Sequence, residues 1–361
     1  MNKKLKPKYK FFFLINLIIL FFFESITINY KKEKNPTNMN FKLNLANEMI
    51  KIYSTLYDIG RDGKAIGPQF SNSSNVKNYL IKRNKGICIC MIGKKENLYA
   101  RQFVEYYKKI KIDKIIIFDN NDLDGEIFYD VLEDYVNKKF VDIIDVRGLN
   151  SALYAVYNYC YKLNKDLYDW IAFLDFDEYI FVENYTNFNE YIYNIRFKNC
   201  QTIFFNWKFY NDNDLVNYDN RTLMERFQNA LTFSVQGKSF VRGGIDNLIM
   251  LSSMIPGINI DYYCNANGER IFPINFFDAN NKNYELIGYL KHFYTKTAEE
   301  FCNKINKGDG QFHKNHYKYL PHIKFKISFF FTLNKITNKK IKILEKCLGI
   351  NLNNYKNKIK E

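Results

Sequence analysis

The stretch that decides the fold reads Trp170-Ile-Ala-Phe-Leu-Asp-Phe-Asp-Glu-Tyr179. Its apolar part, Trp170 to Leu174, has the length and composition of a buried β-strand. Asp175 and Asp177 follow at positions i and i+2, so an extended turn can direct both carboxylates at one hard divalent cation. A lone Asp-x-Asp pair more often caps a helix or faces solvent, so the surrounding sequence has to decide between the two readings.

Short apolar runs alternate with amphipathic stretches on the N-terminal side of this strand. Strands are predicted at Ile87–Ile92, Lys114–Phe118, Val141–Val146 and Trp170–Leu174, and helices at Leu98–Ile110, Glu126–Val136 and Ala152–Leu163. Strands that alternate with helices in this way predict right-handed crossovers and a mostly parallel sheet with helices on both faces. The fold class expected from the pattern is therefore α/β.

Polar or charged residues follow each predicted strand. The segments are Lys94-Lys95-Glu96-Asn97, Asp119-Asn120-Asn121-Asp122, Arg147 and Asp175-Phe176-Asp177-Glu178. Open α/β sheets bind their ligands beyond the carboxyl ends of the strands. The coincidence favours a ligand or metal site at this edge over a solvated pair of aspartates.

The net charge of the 361-residue chain is +15 at pH 7, which by itself would suit a nucleic-acid partner. Residues 1–34 carry eight Lys and two Glu, and residues 313–361 carry twelve Lys and two Glu. The two ends therefore carry +6 and +10, and residues 35–312 carry −1. Because the middle of the chain is nearly neutral, no nucleic-acid partner is expected, and the basic ends favour contact with a membrane surface.

The N-terminus has the pattern of a membrane segment. Residues 1–30 combine a basic tail with an apolar run from Phe11 to Phe23 that continues to Tyr30, about the length needed to cross the hydrocarbon layer. We expect a cytoplasmic tail and a single-pass transmembrane or signal-anchor helix, with a cleaved signal peptide or a buried helix as alternatives. Residues 31–85 predict a stem. The side of the membrane on which the remaining chain lies stays open.

The C-terminal segment, residues 313–361, is basic and aromatic, with helical spacing. Two interpretations stay open: it adsorbs to an anionic membrane surface, or its helices pack against the preceding domain. The seven cysteines of the chain are scattered, odd in number and never spaced as Cys-x-x-Cys. Neither a disulfide framework nor a zinc site follows from such spacings, and most of the cysteines are expected to be small core residues.

A series of motifs occurs in one order along the chain. It comprises Lys94-Lys95-Glu96-Asn97, Phe103-Val-Glu-Tyr106-Tyr107, Ile115-Ile-Ile-Phe-Asp119-Asn120-Asn121, Ala155-Val-Tyr157-Asn158-Tyr-Cys160-Tyr161, the stretch from Trp170 to Tyr179, Phe205-Asn206-Trp207, Gly237-Lys238-Ser239 and a block from His292 to Gly308. With these motifs the sequence resembles the GT-A-fold glycosyltransferases of family 92 and the related family 2 type. It departs from the pattern where Lys95 replaces the usual Asn and where a Gln expected before Ala155 is missing.

The resemblance implies a GT-A domain at residues 86–312, with a Rossmann-like nucleotide-sugar-binding sheet. It also implies a metal-dependent and inverting transfer of a hexose. The expected donor is a nucleotide sugar, most simply a UDP-sugar, and the expected acceptor is a glycan or a lipid-linked molecule.

The resemblance further assigns roles to individual residues. Asp175 and Asp177 would hold Mn²⁺ or Mg²⁺ on the diphosphate, and His292 would complete the metal shell, with a neutral His packed in a strand as its alternative. Lys238, like Lys296, could pair with phosphate oxygens as a point charge. The expected nucleotide-sugar-binding residues are Lys94, Glu96, Asp119, Asn121, Asp175 and Lys296.

An inverting transfer also needs a carboxylate base that removes the proton of the acceptor hydroxyl. We predict Asp246 for this role, because the Gly-Gly pair before it indicates a tight turn; Glu225 and Asp261 are the alternatives. Two other functions compete with the transferase. A phosphatase of the haloacid-dehalogenase type carries its Asp-x-Asp on the first strand and has Thr or Val where this chain has Tyr179. A degenerate transferase would bind the nucleotide sugar without turning it over.

Overall fold

The computed structural model of the protein describes residues 85–149, 152–250, 256–258, 260, 262–271, 286–307 and 320–357. The predicted membrane helix at residues 1–30 lies outside the described residues, as does the predicted stem apart from Lys85. Among the helices that are described, none combines the length and the apolar character needed to cross a membrane.

The first half of the described chain alternates strands and helices, as the sequence predicts. The elements are β1 (Ile87–Gly93), α1 (Asn97–Lys109), β2 (Lys114–Asp119), α2 (Tyr129–Asn137), β3 (Val141–Asp145), α3 (Leu153–Asn164) and β4 (Trp170–Phe173). Helix α2 departs most from its predicted bounds and begins after Phe128. The backbone N–H of Phe128 donates to a carboxylate oxygen of Asp119 at 3.1 Å, so the chain before α2 follows the loop at the end of β2.

The second half of the described chain is less regular. Its elements are β5 (Glu178–Val182), α4 (Phe188–Ile192), a 3₁₀ turn (Ile195–Phe197), β6 (Thr202–Tyr210), α5 (Leu223–Arg226), β7 (Ala230–Arg242), β8 (Ile249–Met250), β9 (Pro256–Ile258), β10 (Tyr263–Asn265), β11 (Arg270–Ile271), β12 (Gly288–His292), α6 (Ala298–Lys307), α7 (Leu320–Leu333), α8 (Asn338–Leu348) and α9 (Asn353–Asn357). This half supplies the remaining strands of the central sheet, the separate two-stranded sheet of β8 and β9, and the helices that follow.

The central sheet has the strand order β11-β10-β6-β7-β4-β1-β2-β3, and β12 pairs with both β5 and β6. Strands β4, β1, β2 and β3 are parallel, whereas β7 runs antiparallel to both β4 and β6. The expectation of a mostly parallel sheet is therefore wrong for the second half, where the sheet is mixed. Between β6 and β7 the described chain forms only the four-residue helix α5, not a long crossover helix, and an antiparallel pair needs none.

Helices cover both faces of the parallel part of the sheet. On one face, Phe103 of α1 and Leu132 of α2 pack against Ile89 and Ile117. On the other face, the buried side of α3 contacts the alternate residues of the same strands. Burial on two faces explains why these strands read as continuous apolar runs in the sequence.

Strand β12 brings a distant part of the chain to the end of β4. Its His292 lies opposite Glu178 of β5, and its Leu290 lies opposite Trp207 of β6. The backbone N–H of Phe293 donates to the carbonyl oxygen of Asp177 at 2.9 Å. Helix α6, which begins five residues later, therefore starts beside the Asp-x-Asp turn.

The described part of the C-terminal segment packs against the domain, which is one of the two interpretations left open by the sequence. The ring of Phe330 in α7 lies 4.7 Å from that of Phe301 in α6. Lys340 of α8 is fully buried, and its ammonium group lies 2.7 Å from a carboxylate oxygen of Asp212. A buried ion pair fixes the position of α8, because neither charge can be left alone in the interior.

Six of the seven cysteines form disulfides, so the expectation that most are simple core residues is wrong. The pairs are Cys90–Cys160, Cys200–Cys264 and Cys302–Cys347, and Cys88 is free and buried. The partners lie 45 to 70 residues apart along the chain. Only the folded chain brings the partners together, within the sheet and its covering helices or between α6 and α8, which is why spacing along the sequence does not reveal them.

Candidate functional site

The two aspartates of the Asp-x-Asp turn occupy different environments. The turn follows β4 directly, and the backbone N–H of Glu178 donates to the carbonyl oxygen of Asp175 at 3.0 Å. The side chain of Asp175 is 45% exposed, whereas that of Asp177 is 6% exposed. The pair is therefore one carboxylate at the surface of the site and one at its base.

Asp177 is held by positive charges from β12 and the segment after it. Its Oδ2 lies 2.7 Å from Nζ of Lys304 and 3.1 Å from Nζ of Lys296, and its Oδ1 lies 3.6 Å from Nε2 of His292. Burial by itself would raise the pKa of Asp177, but Lys296 and Lys304 outweigh it and hold this pKa well below the usual range. Asp177 is therefore a buried carboxylate that stays ionised.

Asp175 pairs with a buried lysine. Nζ of Lys238 lies 2.9 Å from Oδ2 of Asp175 and 3.8 Å from Oε2 of Glu178. Burial would lower the pKa of Lys238, but the two carboxyl groups raise it above its ordinary value. For the fully buried Glu178, burial raises the pKa well above the usual range, despite the neighbouring lysine. Lys238 is thus a fixed positive charge next to the exposed aspartate.

The imidazole of His292 packs against aromatic side chains of β6. Its ring is 4.5 Å from that of Trp207 and 5.3 Å from that of Phe209, measured between centroids. Burial lowers the pKa of His292 to about 3, so the imidazole is neutral at physiological pH. Within the described part of the chain, its Nδ1 has no hydrogen-bond partner. His292 is therefore neutral and packed within a strand, as its alternative interpretation predicts, and its Nε2 faces Asp177.

The loop after β1 carries the first predicted binding residues. Lys94 pairs with Asp122 at 2.8 Å, and Glu96 pairs with Lys307 at the end of α6. Lys95, which replaces the Asn usual in the resembling family, has a left-handed φ of 53°. Its backbone N–H donates to Oδ1 of Asn121 at 2.6 Å, so the loops after β1 and β2 are tied together.

Asp119 and Asn121 are buried and shape the second of these loops. Asp119 accepts hydrogen bonds from the backbone N–H of Asn121 at 3.0 Å, from its side-chain amide at 2.8 Å and from Phe128. Burial raises the pKa of Asp119, and these hydrogen bonds partly offset the rise. Both side chains therefore already have protein partners, and the geometry gives them a supporting role in the loop.

A cleft of about 430 Å³ separates the loop after β1 from α6. Its lining includes Glu96 and Lys307 on either side, Tyr99 of α1, and the two lysines that contact Asp177. Of the predicted site residues, Glu96 and Lys296 line this cleft. Asp177 adjoins it through its contacts with Lys296 and Lys304. Other lining residues are Lys95, Leu98, Glu126, Glu300, Asn303 and Asn306.

The structure does not bring Asp246 to this cleft. It follows β7, whose last residue Arg242 pairs with Trp170 at the amino end of β4. The Asp-x-Asp turn follows the carboxyl end of the same strand. Asp246 therefore lies at the opposite edge of the sheet, where its 80% exposed side chain pairs with Lys165 at 2.9 Å.

Several residues of the site were not assigned from the sequence. Lys304 stands in the block that follows His292, but only the fold places it on Asp177. Glu300 accepts hydrogen bonds from both terminal nitrogens of Arg226, at 2.7 and 2.8 Å, and from the hydroxyl of Tyr99 at 2.7 Å. The partners in these contacts are far apart along the chain, so no local sequence pattern predicts that they meet.

The donor set fits Mn²⁺ or Mg²⁺ only as a partial site. Among the described residues, no group of three or more His, Cys, Asp or Glu side chains is arranged to hold a metal ion. Asp177 and the neutral His292 nevertheless face each other with Oδ1 and Nε2 3.6 Å apart. Magnesium sites commonly use one or two carboxylates and complete the shell with substrate phosphate and water, so this set fits such an ion.

Comparisons with known proteins agree with the resemblance seen in the sequence. The family model of Glycosyltransferase family 92 matches residues 83–251, which span β1 to β8 and include the Asp-x-Asp turn. A Glycosyltransferase family 92 protein of Ricinus communis is 27% identical over 93 residues, which are 26% of this chain and 16% of the relative. The predicted resemblance to family 92 is thereby confirmed, although the match spans only about a sixth of that relative.

Two solved structures of S. aureus TarS are among the similar folds. One covers 73% of this chain and 48% of TarS, with 11% identity and a TM-score of 0.33. TarS 1–349 in complex with UDP-GlcNAc covers 73% and 80%, with 11% identity and a TM-score of 0.28. Scores this low do not support a conclusion about function.

Proposed function

We propose that this chain is a glycosyltransferase that moves a hexose from a nucleotide sugar, most simply a UDP-sugar, to a glycan or lipid-linked acceptor with inversion at the sugar. The observation that carries the proposal is the family 92 match over residues 83–251, which contains both aspartates of the turn after β4. The cleft beside that turn supports it, because two of its lysines pair with the ionised Asp177 of the turn, at the carboxyl edge of an α/β sheet.

In this proposal Asp177 and His292 hold Mn²⁺ or Mg²⁺, with Asp175 as a further oxygen ligand. When bound, the ion acts as a Lewis acid that neutralises the charge developing on the diphosphate leaving group. The buried position of Asp177 keeps its carboxylate in one place, and the low pKa of His292 keeps the lone pair of its imidazole free of a proton. Lys296 and Lys238 add fixed positive charges near the expected diphosphate.

The loops after β1 and β2 recognise the nucleoside in this proposal. Glu96 offers a carboxylate at the mouth of the cleft, where it can accept hydrogen bonds from ribose hydroxyls in exchange for its pairing with Lys307. Asp119 and Asn121 act mainly by holding the loops after β1 and β2 in shape. Lys94 keeps its pairing with Asp122 and stays at the edge of these loops.

We further propose that the protein is attached to a membrane by a single helix within residues 1–30, a segment that lies outside the described residues. The proposal rests on the apolar run and on the basic residues before it. The full chain should sediment with membranes after alkaline washing, and a chain that starts at Lys34 should stay in the supernatant. Sedimentation of both would assign the attachment to another part of the chain.

The transfer is tested by measuring UDP release from a panel of UDP-sugars in the presence of Mn²⁺. Asp177→Asn should lower turnover by about a hundredfold or more, because it removes a preorganised charge at the leaving group. Asp246→Asn is the matched control and should turn over like the wild type, since Asp246 lies at the opposite edge of the sheet. Equal turnover of the wild type and Asp177→Asn would contradict the proposal, as would the absence of UDP release with every donor.

A further inference from the structure

We infer that Lys304 and Lys296 together form an anion site for the diphosphate of the donor, and that Asp177 occupies this site as an internal stand-in until the donor arrives. The inference rests on the proposed function and extends it to Lys304, a residue with no other assigned role. It concerns the exchange of ion-pair partners: the two ammonium groups leave a carboxylate oxygen and bind phosphate oxygens.

The first support is the geometry of the two lysines. Both ammonium groups converge on one oxygen, Oδ2 of Asp177, at 2.7 and 3.1 Å. Both lysines also line the 430 Å³ cleft, and the side chain of Lys304 is 22% exposed. A ligand in the cleft can therefore reach Lys304 directly, and it lies next to the more buried Lys296, whose side chain is 3% exposed.

The second support is that neither ammonium group depends on Asp177 alone for its position. Nζ of Lys304 lies 4.0 Å from the ring centroid of Tyr294 and donates to the carbonyl oxygen of the same residue at 3.1 Å. Nζ of Lys296 lies 4.6 Å from the ring centroid of Tyr99. Aromatic faces hold cations in place without neutralising them, so both charges stay at the cleft wall when the carboxylate is given up.

The third support is the backbone of Lys296. Its φ of 52° is left-handed, a conformation that costs free energy for a residue with a side chain. The next residue, Thr297, is fixed by Glu300, which accepts from its backbone N–H at 3.2 Å and from its hydroxyl at 2.7 Å. The fold thus maintains a costly conformation whose effect is to direct Lys296 at Asp177 and the cleft.

The fourth support is the balance of charge around the cleft. Four of its lining residues are lysines and three are glutamates, and one of these, Glu300, is neutralised by the buried Arg226. Two ammonium groups share the single negative charge of Asp177, so the base of the cleft keeps an excess of positive charge. A diphosphate offers several anionic oxygens and matches two lysines better than one carboxylate oxygen does.

Loss of the contacts between Asp177 and the two lysines should strengthen the binding of an anion, whereas the loss of a contact that binds the ligand would weaken it. If Asp177 competes with the diphosphate for the lysines, removal of its charge should tighten the binding of a metal-free anion. We therefore expect Asp177→Asn to bind inorganic pyrophosphate about tenfold more tightly than the wild type in EDTA, because a charge-assisted hydrogen bond no longer has to be exchanged. Isothermal titration calorimetry on the full chain measures the dissociation constant.

The lysine variants give the complementary result. Lys304→Gln and Lys296→Gln should each weaken pyrophosphate binding in EDTA by about tenfold. Lys304→Arg should retain most of the affinity, because it keeps the charge at the same place. Lys346→Gln, on the exposed face of α8, is the charge-matched control and should bind like the wild type.

Three outcomes would overturn the inference. Asp177→Asn gains affinity only if the wild-type carboxylate competes with the anion, so unchanged or weaker metal-free binding by this variant contradicts the stand-in role. Unchanged binding by Lys304→Gln removes this lysine from the site. If Lys304→Gln fails to fold, as judged by circular dichroism, the Lys304→Arg variant decides, because a tenfold loss there would show that a positive charge at this position is not sufficient.

These results are separable from the test of the proposed function. Pyrophosphate binding contains no sugar and no transfer step. If no UDP-sugar is turned over but the variants order as expected, the anion site stands and the transferase proposal fails. If turnover is found and Asp177→Asn does not gain affinity in EDTA, the transferase proposal stands and the inference fails.

Discussion

The buried pair of Arg226 and Glu300 gives the sharpest stability prediction. The guanidinium of Arg226 is inaccessible to solvent and donates two hydrogen bonds, at 2.7 and 2.8 Å, to the carboxylate of Glu300. The same carboxylate accepts from Tyr99 and from Thr297. Glu300→Gln keeps the shape of the side chain and removes its charge, so the buried guanidinium keeps only the more distant carboxylate of Asp219, whose Oδ1 lies 3.9 Å from Nε of Arg226.

Removing one partner of a buried ion pair costs about 3–5 kcal/mol of the free energy of unfolding. We expect a loss of this size for Glu300→Gln in urea unfolding at pH 7, followed by fluorescence. The neighbouring Glu299→Gln is the matched control. Its carboxylate is exposed and accepts from the backbone of Tyr218 at 2.9 Å, so the loss should be about 0.5 kcal/mol.

The pH dependence of the same variant has a defined sign. Burial would raise the pKa of Glu300, but Arg226 and the other hydrogen-bond donors lower it below its ordinary value of 4.5. The carboxylate therefore contributes its full stability above about pH 4.5 and loses it as the pH falls through the lower pKa of the folded state. The difference between the wild type and Glu300→Gln should shrink when unfolding is measured below pH 4.5.

A loss below about 1 kcal/mol at pH 7 would refute this reasoning, because it would mean that Arg226 finds other partners or water. A difference that grows below pH 4.5 would refute the assigned direction of the pKa shift. Arg226→Met tests the pair from its other side. If the pair is coupled as described, the double variant with Glu300→Gln should be less destabilised than the sum of the single variants.

Two further predictions concern covalent structure and strand packing. Peptide mapping of the non-reduced protein should recover three linked pairs, Cys90–Cys160, Cys200–Cys264 and Cys302–Cys347. Cys88 should resist alkylation until the protein unfolds, because burial raises the pKa of its thiol; rapid labelling of Cys88 or a different pairing would contradict this. Gly237→Ala should lower the free energy of unfolding by about 1–3 kcal/mol, since a Cβ would collide with the carbonyl oxygen of Phe205 in β6. Gly125→Ala, whose nearest contact would be 3.2 Å away, is its control, and equal urea midpoints for both variants would argue against the close approach.

The first half of the fold is predictable because its information is local. Each strand from β1 to β4 is a short apolar run, and each helix between them has one apolar face, so period and length suffice to place them. The second half is not predictable in this way. The pairing of β12 with both β5 and β6 depends on contacts between segments more than eighty residues apart.

The same distinction applies to the site. Asp175 and Asp177 are visible in the sequence because an apolar strand and a two-residue spacing lie side by side. The partners of Asp177 are not visible, because Lys296 and Lys304 are 119 and 127 residues away along the chain. Asp246 shows what a local motif cannot predict. The Gly-Gly pair before it indicates a turn, but it does not indicate at which edge of the sheet that turn lies.

The long separation between Asp177 and its two lysines has a consequence for the order of events during synthesis. At about 5–20 residues per second, a ribosome completes Lys304 on the order of ten seconds after Asp177. During that interval the nascent chain has the strands β1 to β4 but no cation for its buried carboxylate. Because an unpaired charge is costly to bury, the turn has to stay open to water until β12 and α6 arrive. A nascent chain interrupted before residue 286 therefore exposes the edge of its sheet, which the finished chain covers with β12 and α6.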